Sequence, residues 1–257
     1  MPDALIDFVR HHDPDRFLTA LFAPPAKRGA LLTLYAFNHE LARAREAVTE
    51  PALAIIRLHW WREVVEGAEK RHEVATELTA AIRAGNLVPA DLLALIDARE
   101  TEADPSIPTL ADWRVYINGN AGGLAVAAGR LLGAPEPESL RPLGAAYGVA
   151  GLLRSVPALA RQGRCLLPDD LLAAQGLTAE EVILHPDAAA PVLASLLMEG
   201  NVLLEKGRGL RLPRFAIAAA LPAVLARRDM ARLSTPVQGR GVADRLAVML
   251  AAITGRL

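Results

Sequence analysis

Apolar residues recur at intervals of three and four along most of the chain, and this period limits the possible folds more than any other feature. No stretch alternates apolar and polar residues, with enough β-branched side chains, for long enough to predict a strand. Prolines and glycines stand where helices would begin and end. We therefore predict helices at about 14–21, 25–46, 51–68, 73–84, 89–99, 110–132, 138–155, 188–208, 213–228 and 241–254.

The segments between these helices are mostly short, and no Gly/Ser-rich or Pro-rich linker divides the chain. No unit of 20 to 50 residues repeats. With 52% hydrophobic residues, mostly Ala, Leu and Val, the chain can bury one large core. The sequence predicts a single all-α domain over residues 1–257.

Charge and cysteine content exclude several classes of function. The net charge is −1, so no overall positive field attracts nucleic acid. The one cysteine, Cys165, cannot form an internal disulfide and suits a reducing, cytoplasmic compartment. The N-terminus lacks the apolar run of a signal peptide, and the runs 215–226 and 246–253 are too short to span a bilayer. We expect a soluble protein, with peripheral membrane contact left open.

The predicted helix over 31–46 carries two distinct lines of side chains. Leu34, Phe37 and Leu41 form a seam that a helix buries against a neighbour. A second, mixed line is expected to face a cavity, and it contains Tyr35, Asn38, His39, Ala42 and Glu46. His39 has no partner at a metal-binding spacing, so zinc is not predicted.

Two further stretches attract attention because of their composition. The segment 118–123 reads NGNAGG, and such small residues let another backbone or a ligand come close. In the stretch 144–168, Pro157 is expected to end or kink a helix near Ser155. Arg154, Arg161 and Arg164 would then cluster near the break, either as cations at a helix C-terminus or as an anion site. The sequence leaves both interpretations open.

Taken together, these stretches resemble the squalene/phytoene synthase family. Residues 35–46, YAFNHELARARE, are similar to the family's first aspartate-rich helix, YAFCRxxDDxxD. Residues 153–168, LRSVPALARQGRCLLP, are similar to the second, LRDVxEDxxRGRxYLP. Between them, residues 57–62 match the family's WWR helix, and Tyr116 precedes a glycine-containing segment. The resemblance implies an isoprenoid-synthase-like helical bundle around a central cavity.

The departures from the family pattern concern the metal ligands. In the family, aspartates of both motifs hold Mg²⁺, and the metal holds a prenyl diphosphate. At those positions this chain has Ala42 and Arg43, then Glu46, Ser155 and Leu159. Mg²⁺ requires oxygen ligands, usually with one or two carboxylates. We therefore predict no catalytic residue and no metal or other cofactor, with Mg²⁺ as the alternative.

The residues Asn38, Glu40, Leu41 and Ala42 fit one branch of the family better than the enzymes. That branch resembles complex I assembly factor 6, whose members have lost the aspartates and act in building respiratory complex I. The resemblance implies complex I subunits or assembly intermediates as partners, and a cytoplasmic location that leaves open attachment to the inner membrane.

Three hypotheses follow from these observations. The first is a non-catalytic pseudoenzyme kept for assembly, which the missing ligands favour. The second is a prenyltransferase in which Arg43, Arg45 and Arg154 bind diphosphate directly. The third is a binder of a prenyl or other apolar lipid. The candidate residues of the vestigial cavity are Tyr35, Asn38, His39, Ala42, Arg45, Glu46, Tyr116, Asn120, Arg154, Ser155 and Arg164.

The final segment, 230–257, lies outside the resemblance. Around its start, residues 226–241, ARRDMARLSTPVQGRG, have enough basic charge to touch a membrane surface, but a solvated tail is the interpretation that we favour.

Overall fold

The computed structural model describes residues 3–48, 50–104, 106–232 and 240–257. Within these ranges the regular structure is helical, apart from one isolated bridge between Ile107 and Pro168. The α-helices are α1 Asp3–His12, α2 Pro14–Ala20, α3 Pro25–Glu46, α4 Pro51–Val65, α5 Glu73–Arg83, α6 Pro89–Glu100, α7 Leu110–Ile117, α8 Gly123–Leu132, α9 Arg141–Arg161, α10 Asp169–Ala174, α11 Ala179–Leu184, α12 Ala190–Lys206, α13 Pro222–Met230 and α14 Val242–Thr254.

The all-α prediction is confirmed, and several local predictions need correction. The helix expected over 213–228 begins only at Pro222, after a 3₁₀ turn at Ile217–Ala219, and the proline occupies its first turn, where a missing N–H costs no helical hydrogen bond. The run predicted as one helix over 110–132 is interrupted by a π-helical turn at Asn118–Gly122. Helices α1, α10 and α11 have no counterpart among the predicted helices, although α1 buries Leu5 and Val9.

The predicted end of a helix near Ser155 is wrong, because α9 continues through Pro157 to Arg161. A proline inside a helix removes one hydrogen bond and costs about 3 kcal/mol. Val156, Leu159 and Ala160, on either side of Pro157, are buried. Their burial offsets that cost and keeps the chain helical.

Helices α3 and α9 are the central elements of the bundle. Helix α3 packs against α1, α4, α5 and α8, whereas α9 packs against α8, α12, α13 and the π-helical turn. The turn approaches α9 so closely that a Cβ on Gly144 would lie 2.4 Å from the Ala121 carbonyl oxygen, and one on Gly148 would lie 2.5 Å from the Ala121 Cβ. Glycines of α9 therefore admit the backbone of the turn, and Gly122 in the turn admits that of α9, since a Cβ on it would lie 3.1 Å from the Arg141 carbonyl oxygen.

Two helical stretches among the described residues have the length and composition of membrane spans, Pro137–Arg161 and Pro186–Lys206. In the most apolar 18-residue window, 67% of the first stretch and 28% of the second is buried within the bundle. Because core helices of globular proteins share this composition, length and composition alone do not assign either stretch to a membrane.

Candidate functional site

A cavity of about 280 Å³ lies between α3 and α9, and residues of α6, α7 and the π-helical turn line it as well. Most of the side chains that line it are polar or charged. Of the residues predicted from the sequence, those that line this cavity are Asn38, Glu46, Tyr116, Asn120, Arg154, Ser155 and Arg164.

The carboxylate of Glu102 lies at the centre of the first ionic cluster in the cavity wall. Arg99 Nη1 donates to it at 2.5 Å, Arg164 Nη2 at 3.1 Å and the Tyr116 hydroxyl at 2.8 Å. Burial disfavours the charged carboxylate, but the two guanidinium groups outweigh burial and hold the pKa of Glu102 below its usual range. Glu102 is therefore an anion that arginines already neutralise.

Asn38 and Asn120 complete the polar wall around this cluster. Asn38 Oδ1 accepts from Arg99 Nη2 at 3.4 Å, and Asn120 Nδ2 donates to the Ala98 carbonyl at 3.2 Å. Asn120 lies in the π-helical turn, a feature that often occurs at functional sites.

A second ionic cluster joins α2, α9 and α13 beside the cavity. Arg240 donates to Asp15 at 2.5 and 2.8 Å and also pairs with Asp229, which in turn pairs with Arg154. The Tyr147 hydroxyl donates to Asp15 at 3.0 Å. Although burial alone would raise it, these contacts, chiefly that with Arg240, hold the pKa of Asp15 below its usual range.

Arg16 is a buried cation deeper in the bundle. It pairs with Asp13 at 2.9 Å, and its guanidinium carbon lies 4.8 Å from the ring centre of Tyr147 and 5.8 Å from that of Tyr35. Burial of the Tyr35 hydroxyl raises its pKa above the usual range. A fixed charge at this depth makes the interior unsuitable for a long hydrocarbon chain.

Four predicted residues lie elsewhere, and the packing of each explains why. Tyr35 points inward against Arg16. His39 faces α1, where its ring stacks on His12 at 4.7 Å. Ala42 is partly buried but does not reach the cavity. Arg45 Nη1 donates to the Val48 carbonyl at 2.9 Å and so caps the end of its own helix.

The three arginines expected to cluster near the break in α9 have separate positions. Arg154 pairs with Asp229, Arg164 pairs with Glu102, and Arg161 is exposed. The prediction of one cluster is wrong because α9 continues past Pro157 and spreads them along the helix and the following turn.

The residues at the family's metal positions do not fit Mg²⁺. Ser155 Oγ donates to the Leu152 carbonyl at 2.9 Å within its own helix, Leu159 is apolar, and Glu46 is exposed. Among the described residues, no group of three His, Cys, Asp or Glu side chains could hold a metal ion. A lone glutamate is a poor ligand set for a cation that prefers octahedral oxygen coordination.

The sequence analysis missed several residues of the two ionic clusters. They and the buried Arg16 lie on elements that the motifs do not include, and Glu102, Asp229 and Asp15 each have a partner distant in sequence. The available signal was weak: acids at 97–104 after a helix, and one acid within the basic run 227–232. These residues are Asp15, Arg16, Arg99, Glu102, Asp229 and Arg240.

Comparison with known proteins gives relatives of two kinds. NADH dehydrogenase (ubiquinone) complex I, assembly factor 6 from Bos taurus is 26% identical over 186 residues, and the protein of the same name from Homo sapiens is 25% identical. Each match covers 69% of this chain and 56% of the relative, so the chain matches only about half the length of these proteins. Presqualene diphosphate synthase from Rhodopseudomonas palustris is 24% identical, over 68% of this chain and 66% of that protein.

Solved structures share the fold over nearly the whole chain. A dehydrosqualene synthase in complex with ligand has a TM-score of 0.79 at 15% identity, covering 98% of this chain and 95% of the other. Squalene synthase HpnC from Alicyclobacillus acidocaldarius has a TM-score of 0.66 at 18% identity, covering 98% and 93%. The predicted isoprenoid-synthase-like bundle is thereby confirmed.

The sequence profile of the squalene/phytoene synthase family matches residues 9–238. The predicted resemblance to the family and to its assembly-factor branch is confirmed. This chain belongs to the squalene/phytoene synthase family.

Proposed function

We propose that this chain is a non-catalytic member of its family that acts in the assembly of respiratory complex I. The match to relatives named complex I assembly factor 6 supports the proposed role in assembly. One structural observation supports the proposal that the chain is not a catalyst. Two arginines of the protein itself neutralise Glu102, the buried carboxylate of the cavity.

Prenyl transfer would need a different distribution of charge. A diphosphate leaving group must be neutralised as its bond to carbon breaks. Direct binding by arginines is disfavoured, because Arg45 caps a helix end and Arg154 pairs with Asp229. We therefore propose that the protein uses neither Mg²⁺ nor prenyl diphosphate.

The lining of the cavity also weighs against an apolar lipid. Ligand cavities range from about 300 to 1,000 Å³ and are mostly apolar. This cavity measures about 280 Å³, and Arg16, Arg99 and Arg164 are among the side chains that line it. A prenyl chain placed there would desolvate these charges without compensation.

Deletion of the gene in the native host tests the proposed process. We expect less assembled NADH:quinone oxidoreductase on native gels and lower NADH-dependent quinone reduction in membranes. Subunit transcript levels serve as the control for expression. Unchanged amounts of the assembled complex would contradict the assembly role.

A cavity-filling variant tests whether assembly depends on a molecule in the cavity. A Cβ on Gly151 would meet no atom within 4 Å, and Gly151 lines the cavity. Gly151→Leu should therefore occupy the space without disturbing α9, and Gly151→Ala is the matched control. We expect both to restore assembly in the deletion strain. Restoration by Gly151→Ala alone would indicate that a substrate or ligand is needed.

The alternative hypothesis, a prenyltransferase, is tested by a separate assay, because the chain also matches presqualene diphosphate synthase. Purified protein is incubated with farnesyl or geranylgeranyl diphosphate, Mg²⁺ and NADPH, and released diphosphate is measured. We expect no release above a no-protein control. Sustained turnover would refute the non-catalytic proposal even if the deletion strain lacks complex I.

We also propose a cytoplasmic protein that works at the inner membrane, where complex I is built. Fractionation of native cells tests this location: recovery only in the soluble fraction at low salt would contradict membrane contact.

A further inference from the structure

Helix α14 exposes a continuous apolar stripe to solvent. Its members recur at helical spacing and are between 40% and 74% exposed. They are Val242, Leu246, Met249, Leu250 and Ile253. Among the described residues, none packs over these side chains closely enough to bury them. The stripe is therefore an apolar face without a packing partner in this chain.

The opposite side of α14 is firmly attached to the bundle. Val248 and Ala251 are buried there, and Asp244 accepts from Arg228 on α13 at 2.5 Å and from Arg232 at 3.0 Å. The arginines outweigh the effect of burial and hold the pKa of Asp244 below its usual range. These ion pairs, with that of Arg240, correct the expectation of a solvated tail for the described parts of 226–241, whereas residues 233–239 lie outside the described part of the chain.

The exposed charged side chains in the segment that carries the stripe have one sign. From residue 222 to the end, the sequence contains six arginines and two acids, Asp229 and Asp244. Both acids are buried and paired with arginines. Arg227, Arg245 and Arg256 are exposed. Among its described residues, the solvent side of this segment therefore presents apolar and cationic side chains without an exposed Asp or Glu.

We propose that α14 lies in the surface of an anionic lipid bilayer, with its apolar stripe among the acyl chains. Interfacial helices combine an apolar face with arginines that meet anionic headgroups. A second copy of the chain fits less well, since it would bring the same uncompensated arginines together. A specific protein partner is also disfavoured, because the stripe lacks the aromatic anchors that dominate such interfaces. This proposal does not depend on the proposed role in assembly.

Vesicle flotation with the full-length protein tests the proposal. Vesicles of phosphatidylcholine are compared with vesicles that contain one quarter phosphatidylglycerol. We expect binding to the anionic vesicles, and little binding to the neutral ones. The double variant Arg245→Ala/Arg256→Ala should bind the anionic vesicles about thirtyfold more weakly, at about fivefold for each arginine.

The apolar contribution is tested by Leu246→Glu/Leu250→Glu, which leaves Asp244, Val248 and Ala251 in place. We expect about a hundredfold loss of vesicle binding. The matched control is Val115→Glu on α7, where the side chain is 73% exposed and lies outside the stripe. It should bind like the unaltered protein, and all variants should keep the same melting temperature.

Three outcomes would overturn the proposal. One is the absence of binding to either vesicle. Another is equal loss of binding in Val115→Glu and in the stripe variant. The third is a doubled molecular mass in solution that the stripe variant abolishes, because the stripe would then be a contact between two copies.

Discussion

Replacing Glu102 with Gln removes the negative charge of the first ionic cluster while keeping the shape of the side chain. Arg99 and Arg164 would then lie buried beside a neutral group, with side chains only 15% and 8% exposed. Removing one partner of a buried ion pair costs about 3–5 kcal/mol, because the remaining charge stays uncompensated. For a chain of this size, that loss lowers the melting temperature by about 6–20 °C.

Urea unfolding followed by circular dichroism measures the loss as a change in the free energy of unfolding. The matched control is Asp97→Asn. Asp97 also pairs with an arginine, Arg62, but its side chain is 60% exposed. We expect that control to cost at most about 1 kcal/mol.

The same variant should acquire an anion site. With Glu102 neutral, the guanidinium groups of Arg99 and Arg164 lack their counter-ion and can accept an added anion. Inorganic diphosphate at millimolar concentration should raise the melting temperature of Glu102→Gln and leave that of the unaltered protein unchanged. A loss below about 1 kcal/mol, together with no response to diphosphate, would refute the idea that Glu102 internally replaces the ligand charge.

Three further predictions concern the framework around the cavity. Gly144→Ala should destabilise the protein by about 1–3 kcal/mol, because the added Cβ would lie 2.4 Å from the Ala121 carbonyl oxygen. Gly151→Ala, whose Cβ meets no atom within 4 Å, should be neutral or stabilising by up to about 1 kcal/mol. Urea unfolding of the two variants distinguishes these outcomes. Arg240→Ala should lower the free energy of unfolding by about 3–5 kcal/mol, since Arg240 pairs with both Asp15 and Asp229. Arg154→Ala should lower it by only about 1 kcal/mol, because the Arg154 side chain is 38% exposed. Equal losses in urea unfolding would contradict the bridging role of Arg240. Burial, then the neighbouring His12, lower the pKa of His39 to about 4. Between that value and the unfolded pKa of about 6.5, only the unfolded chain binds the proton, so stability falls as the pH falls. After allowance for partial exposure, His39→Gln should remove about 1–2 kcal/mol of this pH dependence, measured by urea unfolding at pH 5 and pH 7; an unchanged dependence would contradict the lowered pKa.

The sequence by itself determined the fold class and most helix positions, because helical periodicity and proline or glycine punctuation are local signals. It also located α3 and α9 as the walls of the cavity, through the two motifs that carry the family resemblance. The replacement of the metal ligands could be identified in the same way, since Ala42, Ser155 and Leu159 cannot supply carboxylates.

Only the tertiary structure decided which charges face one another. Glu102 meets Arg164 across 62 positions, and Asp15 meets Arg240 across 225. Packing also turned His39 toward α1, carried α9 past Pro157 and left the apolar stripe of α14 exposed. These outcomes depend on contacts between elements distant in the chain, and the period of a single helix specifies which residues share a face but not what that face will meet.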